Sequence, residues 1–297
     1  MKIESERLGP HMALFIVNLI YGLNFVIAKD VMPLYILPGG FILLRVLGAN
    51  ILFWSSHAFF PSQRIQKNHW WRFVLGGFFG VAANQLLFFK GLNLTTPIQA
   101  SIIMVATPVI VLLIGALFAK ERLTWLKSLG IIIGASGAVY LIAPHKIGSE
   151  SFALTGFGNL LVALNAAAYA IYMIIAKPLM QIYKPLFVIK WMFLFGLIFV
   201  LPFGLSEFLL IQWDTFPPHI IFKTLYIVIG VTYITYLFNI YALRYLNASA
   251  VSIYIYFQPA VAAAHAILAG KDVLTATMLV SCLLICVGVF MVSRNKS

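Results

Sequence analysis

Apolar residues in this 297-residue chain come in long runs that short polar stretches separate. Ten of the runs are close to the length of about 20 residues that a helix needs to cross a bilayer. Prolines mark several of the polar stretches, as at Pro61 and Pro217, because proline favours a turn over a continuing helix. The pattern predicts an all-α integral membrane protein with ten transmembrane helices. The predicted helices are 11–28, 39–60, 73–94, 98–119, 125–143, 156–176, 186–205, 220–243, 248–269 and 273–292.

One stretch of the chain occurs twice. Residues 101–124 align without a gap on residues 252–275, with seven identical positions. Both copies are apolar, carry a proline near the middle (Pro108 or Pro259), and end in Lys, an acidic residue, any residue, Leu and Thr. Self-similarity over this distance indicates a duplicated unit. We predict a first unit at 1–147 and a second at 148–297.

Each unit holds five predicted helices, and five is odd. If both units fold alike, the second must enter the membrane from the opposite side, which gives two inverted-topology five-helix repeats. The loop charges agree with this topology. With both termini cytoplasmic, thirteen Lys and Arg residues lie in inner tails and loops and three in outer loops, as the positive-inside rule requires.

Composition limits the class of protein. With 62% hydrophobic and 9% charged residues, the chain has too little polar surface for a water-soluble globule. The net charge of +12 is spread over short loops, so no nucleic-acid partner is predicted. Cys282 and Cys286 lie one turn apart in an apolar run and are expected to pack, and no metal or cofactor motif occurs. The N-terminus lacks a small-residue cleavage site, so the first run is expected to stay as a span.

Polar residues within the apolar runs should face protein or water, because exposure to lipid is costly. They concentrate in the first, third, sixth, eighth and ninth runs. We predict that they line a substrate cavity, with the two mid-helix prolines as helix hinges. The alternative is that polar groups and prolines only join helices to one another. The predicted lining is Tyr21, Asn24, Asn84, Gln85, Phe88, Tyr172, Tyr236, Asn239, Tyr256 and Gln258, and the predicted hinges are Pro108 and Pro259.

All eight acidic residues fall in loops or at helix ends, so no carboxylate is predicted at mid-membrane. Proton coupling would then depend on His265 or on a helix-end acid, and we expect at most weak proton dependence. Arg45 and Lys90 lie within predicted helices. If both faced the cavity, they would favour an organic-anion or phosphorylated-sugar exchanger; otherwise they reach the headgroups or an acidic partner.

One motif would suit an enzyme. Gly134-Ala-Ser136-Gly137 has the spacing found in intramembrane serine proteases, and His265 could serve as the partner of the serine. However, the fifth run has almost no other polar residue, whereas such a site also needs oxyanion donors and a water-filled opening. We therefore predict helix packing for Ser136 and no enzymatic activity.

The duplicated unit resembles the drug/metabolite transporter superfamily, specifically the ten-helix EamA-type permeases. The resemblance rests on Pro108 followed by Lys120-Glu121-x-Leu-Thr, and on Pro259 followed by Lys271-Asp272-x-Leu-Thr. It implies export of amino acids, related metabolites or toxic compounds across a bacterial inner membrane through a cavity between the two halves. Asp272 stands where glutamate is more usual.

These observations together predict a secondary transporter that works by alternating access. Its expected partners are a small-molecule solute and the lipid bilayer. The amides, hydroxyls and aromatic rings of the predicted lining suit a small amphipathic or zwitterionic solute. Substrate identity, direction of transport, coupling ion and oligomeric state do not follow from the sequence.

Overall fold

The computed structural model describes residues 2–59, 63–119, 125–142 and 150–294. These residues form helices joined by short connections and contain no strand. We number the helices by the predicted run that each contains. They are α1 (Lys2–Val31), α2 (Pro38–His57), α3 (Lys67–Leu94), α4 (Pro97–Met104 and Thr107–Ala119), α5 (Trp125–Ile142), α6 (Glu150–Ile182), α7 (Pro185–Leu209), α8 (Pro218–Tyr245), α9 (Ala248–Ile253, Tyr254–Phe257 and Gln258–Leu268) and α10 (Ala276–Arg294).

Eight helices of the described residues are long and apolar enough to cross a membrane, namely α1 to α4 and α6 to α9. The chain is therefore a multi-pass membrane protein, as its composition predicted. The described parts of α5 and α10 do not reach that standard, so ten spans stay a prediction. The predicted boundary between units at 147 and 148, and the sequence Lys120-Glu121-x-Leu-Thr, lie outside the described residues.

Proline starts four of the helices, which explains why the predicted turns end where they do. α2, α4, α7 and α8 each carry proline at a first-turn position, where the missing N–H would have had no intrahelical partner. At the start of α4 the Thr96 hydroxyl also accepts a hydrogen bond from the Gln99 N–H. This cap fixes where α4 begins.

The two mid-helix prolines coincide with breaks in their helices. The α4 helix stops at Met104 and resumes at Thr107, one residue before Pro108. In α9 a 3-10 turn over Tyr254–Phe257 precedes the segment that contains Pro259. Proline cannot donate a hydrogen bond to the preceding turn, so the helix is interrupted there. A hinge role for either proline remains a prediction.

Each half has a lysine near the end of its first helix that binds backbone carbonyl oxygens where its third helix ends. The Nζ atom of Lys29, at the end of α1, donates to the Thr95 carbonyl oxygen after α3 at 2.5 Å. The Nζ atom of Lys177, near the end of α6, donates to the carbonyl oxygens of Leu243 and Leu246 at the end of α8, at 2.6 and 2.7 Å. A cation at a helix C-terminus satisfies free carbonyls and complements the helix dipole. Each lysine thus fixes the first helix of its unit against the third.

Candidate functional site

A cavity lies among α1, α2, α3, α4, α6, α8 and α9, deep within the bundle. The volume of the cavity is about 70 Å³, which is room for a small solute. In the part of the chain that the structure describes, the lining is a mixture of amides, phenols, aromatic rings and one guanidinium group, without a carboxylate. The lining residues are Asn18, Tyr21, Asn24, Phe25, Arg45, Asn84, Gln85, Phe88, Phe89, Met104, Asn165, Tyr169, Val231, Tyr236, Asn239, Val251, Ile255 and Gln258.

Eight of the ten residues predicted to bind substrate meet at this cavity, and two do not. Tyr172 is buried against Gly80 of α3, and Tyr256 packs against the apolar core. Neither belongs to the cavity lining. The eight that line it are Tyr21, Asn24, Asn84, Gln85, Phe88, Tyr236, Asn239 and Gln258.

The first and ninth helices are joined by a hydrogen-bonded pair of amides. Gln258 Nε2 donates to Asn18 Oδ1 at 2.7 Å, and Asn18 Nδ2 donates to the Leu14 carbonyl oxygen at 2.7 Å. Both side chains are almost fully buried. Since Gln258 directly precedes Pro259, this pair holds the broken part of α9 against α1.

Tyr236 of α8 is the centre of a polar cluster in the cavity wall. Its hydroxyl donates to the Gly80 carbonyl oxygen at 3.0 Å, lies 3.2 Å from Asn84 Oδ1, and accepts from Gln85 Nε2 at 3.4 Å. Gly80 lies in a π-helical stretch of α3, Phe78–Ala83, and α8 has a corresponding π-helical stretch at Tyr226–Ile234. π-Helical turns are rare and often occur at functional sites.

Arg45 of α2 reaches the same cavity and is 2% exposed. Its Nε donates to Thr232 Oγ1 at 2.9 Å, while the Thr232 hydroxyl in turn donates to the Ile227 carbonyl oxygen at 2.8 Å. The guanidinium carbon stands 4.1 Å from the centre of the Phe89 ring. Among the described residues, its Nη1 has no hydrogen-bond partner.

Lys90 does not join Arg45 at the cavity. It is exposed, and its Nζ lies 5.9 Å from the centre of the Phe203 ring. The sequence analysis required both cations to face the cavity for an organic-anion or phosphorylated-sugar exchanger, and this condition is not met, because Lys90 lies outside the lining.

Several lining residues were absent from the predicted set. Asn18, Asn165 and Tyr169 carry the same signal as the predicted residues, a polar group within an apolar run. Asn165 Nδ2 donates to the Asn84 carbonyl oxygen at 2.7 Å, which ties α6 to α3. The apolar part of the lining, such as Val251 and Ile255, carries no signal that distinguishes it from the rest of the core.

Ion pairs tie the helices together at the end of the bundle where α1 ends. Asp30 forms salt bridges with Lys223 of α8 at 2.5 Å and with Lys271 after α9 at 3.0 Å. Nearby, the Asp272 carboxylate accepts a hydrogen bond from the Ile98 N–H at the start of α4. The acidic and basic residues of the second Lys-acid sequence therefore both bind first-unit residues.

At the opposite end of the bundle, a larger crevice of about 990 Å³ opens among α1, α2, α7 and α8. It is bordered by Gly9 near the start of α1, His57 at the end of α2, Lys184 before α7 and Arg244 near the end of α8. The described structure thus has ion pairs at one end and a crevice at the other.

Ser136 and His265 do not form a catalytic pair. Ser136 Oγ donates to the Ile133 carbonyl oxygen of its own helix at 2.7 Å and is exposed on the outside of the bundle. The His265 Nδ1 atom lies 3.3 Å from the Leu23 carbonyl oxygen of α1. On α5 the close contact with α10 is made by Gly134 and Gly137.

Comparison with known proteins gives concordant matches over the whole chain. The model of the EamA-like transporter family matches twice, at residues 9–143 and 156–294. An uncharacterized transporter of Archaeoglobus fulgidus is 27% identical over 74% of this chain and 76% of its own length. The uncharacterized transporter YoaV of Bacillus subtilis is 22% identical over 93% of each chain. A solved structure titled "Crystal structure of protein" has a similar fold, with a TM-score of 0.65, 17% identity, and coverage of 97% of this chain and 98% of that one.

Proposed function

The chain belongs to the EamA-like transporter family, whose model matches both halves, and from this premise we propose that it carries a small metabolite by alternating access through the central cavity. We further propose export of an amino acid, a related metabolite or a toxic compound across a bacterial inner membrane. The family and the relatives are transporters, so the protein is not an enzyme. We propose that the eight predicted residues that line the cavity bind the solute there.

One observation carries the proposal: a buried polar cavity to which both halves contribute. Tyr21, Asn84 and Gln85 come from the first half, and Tyr236 and Gln258 come from the second. Binding sites at the interface of two repeats are typical of secondary transporters, because a rocking motion of one half against the other then exposes the site to each side in turn. The ion pairs at one end and the crevice at the other support this mode of action.

We also propose ten spans arranged as two inverted repeats, 1–147 and 148–297. The second helix of each unit supports this arrangement. Glu207, near the end of α7, accepts hydrogen bonds from the N–H groups of Gly39 and Gly40 at the start of α2. Two helices that occupy the same place in their units therefore run in opposite directions.

Inverted repeats put equivalent loops on opposite faces of the membrane, and cysteine labelling can measure this. Lys67 begins the third helix of the first unit, directly after the connection from the second helix, and Asp214 lies in the corresponding connection of the second unit; both are exposed. With Cys282 and Cys286 changed to serine, we expect Asp214→Cys to react with a membrane-impermeant maleimide in intact cells. Lys67→Cys should react only after permeabilisation. Labelling of both from the same side would contradict the inverted topology.

The transport function itself is testable in proteoliposomes with a panel of radiolabelled amino acids and related metabolites. We expect solute flux above that of empty liposomes, driven by the solute gradient without ATP. Gln258→Ala should reduce this flux, because it removes the amide that joins α9 to Asn18 in the cavity wall. The matched control is Ser136→Ala, which changes a hydroxyl on the outside of the bundle and should leave flux unchanged. Equal flux in wild type and Gln258→Ala would contradict the proposal that the solute passes through this cavity.

A further inference from the structure

We infer that the solute carries a single carboxylate and that Arg45 binds this group inside the cavity. The inference rests on the proposed function, because it names the class of solute that the central cavity accepts. Arg45 thereby becomes the residue that selects the solute.

The first argument is the unbalanced charge of Arg45. A buried guanidinium group loses its hydration, and this loss is costly unless an anion compensates it. Among the described residues no carboxylate lines the cavity, and the contacts of Arg45 are a hydroxyl at Nε and aromatic rings, of which Phe89 is the nearest. A ring face attracts a cation, but it does not neutralise the charge. A bound anion would do so.

The second argument is the unused donor. The Thr232 hydroxyl accepts a hydrogen bond from Arg45 Nε and donates one to the Ile227 carbonyl oxygen. These two bonds fix the guanidinium group on its Nε side. Nη1 has no partner in the described part of the chain. A guanidinium group binds a carboxylate through two parallel N–H groups, so a donor left free beside a cavity is suited to that ligand.

The third argument concerns the other unpaired groups in the lining. Asn24 Oδ1, Gln85 Oε1 and Asn165 Oδ1 are buried and have no partner among the described residues. The orientation of the Asn165 amide is set because its Nδ2 donates to a carbonyl oxygen. Three free acceptors attract hydrogen-bond donors and repel anionic oxygens.

These features together favour a small monocarboxylate that carries donors elsewhere, such as an ammonium or hydroxyl group. One guanidinium group balances one negative charge, whereas a dianionic phosphate ester would leave a charge unpaired among the amide oxygens. A cation or a neutral solute would leave the charge of Arg45 uncompensated. The cavity volume of about 70 Å³ is compatible with a small molecule of this kind.

The experiment uses pairs of compounds that differ only in the carboxylate. Small amino acids, hydroxy acids and their carboxamides, together with inorganic phosphate, are tested on the purified full-length protein by thermal stabilisation and then by flux in proteoliposomes. We expect at least one carboxylate to stabilise the protein while its carboxamide and phosphate do not. Equal stabilisation by an acid and its amide, or stabilisation by no carboxylate, would overturn the inference.

Variants at Arg45 supply the second measurement. Arg45→Gln is expected to weaken binding of the active carboxylate about 30-fold or more, because loss of one partner of a buried charge pair is costly. Arg45→Lys should retain part of the affinity, and the exposed Arg64→Gln, outside the cavity, should bind as wild type does. Unchanged carboxylate affinity in Arg45→Gln would also overturn the inference. If Arg45→Gln does not fold, the acid and amide pairs on the wild-type protein decide the question.

Failure of this inference is distinguishable from failure of the proposed function. Flux of an amide, an amine or phosphate without flux of any carboxylate would leave a transporter whose solute is not selected by Arg45. Stabilisation by a carboxylate without flux of any compound would keep Arg45 as a binding residue and contradict transport.

Discussion

Replacement of Tyr236 by phenylalanine is expected to destabilise the protein and to reduce transport more than the same change at any other cavity tyrosine. The mutation removes one oxygen atom and leaves the ring in place. It nevertheless leaves the Gly80 carbonyl oxygen, Asn84 Oδ1 and Gln85 Nε2 without the hydroxyl that each contacts. A buried polar group without a partner costs about 1–3 kcal/mol. The free energy of unfolding should therefore fall by an amount of this order or more.

Tyr169→Phe is the matched control for this prediction. Tyr169 also lines the cavity, but the hydrogen bond of its hydroxyl to Asn239 Oδ1 is long, at 3.5 Å. Thermal unfolding in detergent, without solute, should show a clearly lower melting temperature for Tyr236→Phe and a small change for Tyr169→Phe. Equal losses in the two variants would mean that the Tyr236 cluster has no special part in holding α3 and α8 together.

Gly91→Ala is expected to have the second large effect, because α3 and α6 touch through their backbones at this point. An added Cβ atom on Gly91 would lie 2.7 Å from the Gly158 carbonyl oxygen, and one on Gly158 would lie 2.8 Å from the Gly91 carbonyl oxygen. A backbone atom cannot turn aside as a side chain can, so the helices must separate. Overpacking of this kind costs about 1–3 kcal/mol. The same separation should move Asn165 away from Asn84 and reduce flux.

Gly115→Ala provides the same chemical change without the contact. A Cβ atom at Gly115 would meet no atom of the described residues within 4 Å, and alanine favours a helix more than glycine does. We expect its melting temperature to equal or exceed that of the wild type, whereas that of Gly91→Ala should fall by several degrees. A stable and active Gly91→Ala would show that α3 and α6 can separate without loss of stability or transport.

Much of the fold follows from patterns that are local in the sequence. The apolar runs contain the helices, and prolines 38, 97, 185 and 218 start helices because an N–H is dispensable there. The duplicated stretch around Pro108 and Pro259 identified the family correctly, as the match to both halves confirms. Another feature lies beyond what apolar periodicity predicts, namely the π-helical turns in α3 and α8.

The sequence by itself predicted that this protein lies in a lipid membrane, where its helices are, and which residues supply most of the polar groups of the cavity. It could do so because lipid excludes polar groups, and polar residues within apolar helices must then face one another. It could not decide between residues for which two places are equally suitable. Tyr169 and Tyr172 lie one turn apart on one face of α6, yet the first lines the cavity and the second packs against Gly80. Arg45 and Lys90 are both long cations within helices, and only the packing of α2 against α3 and α8 puts Arg45 into the cavity and leaves Lys90 exposed. That choice depends on which neighbours a side chain meets, and those neighbours come from distant parts of the chain.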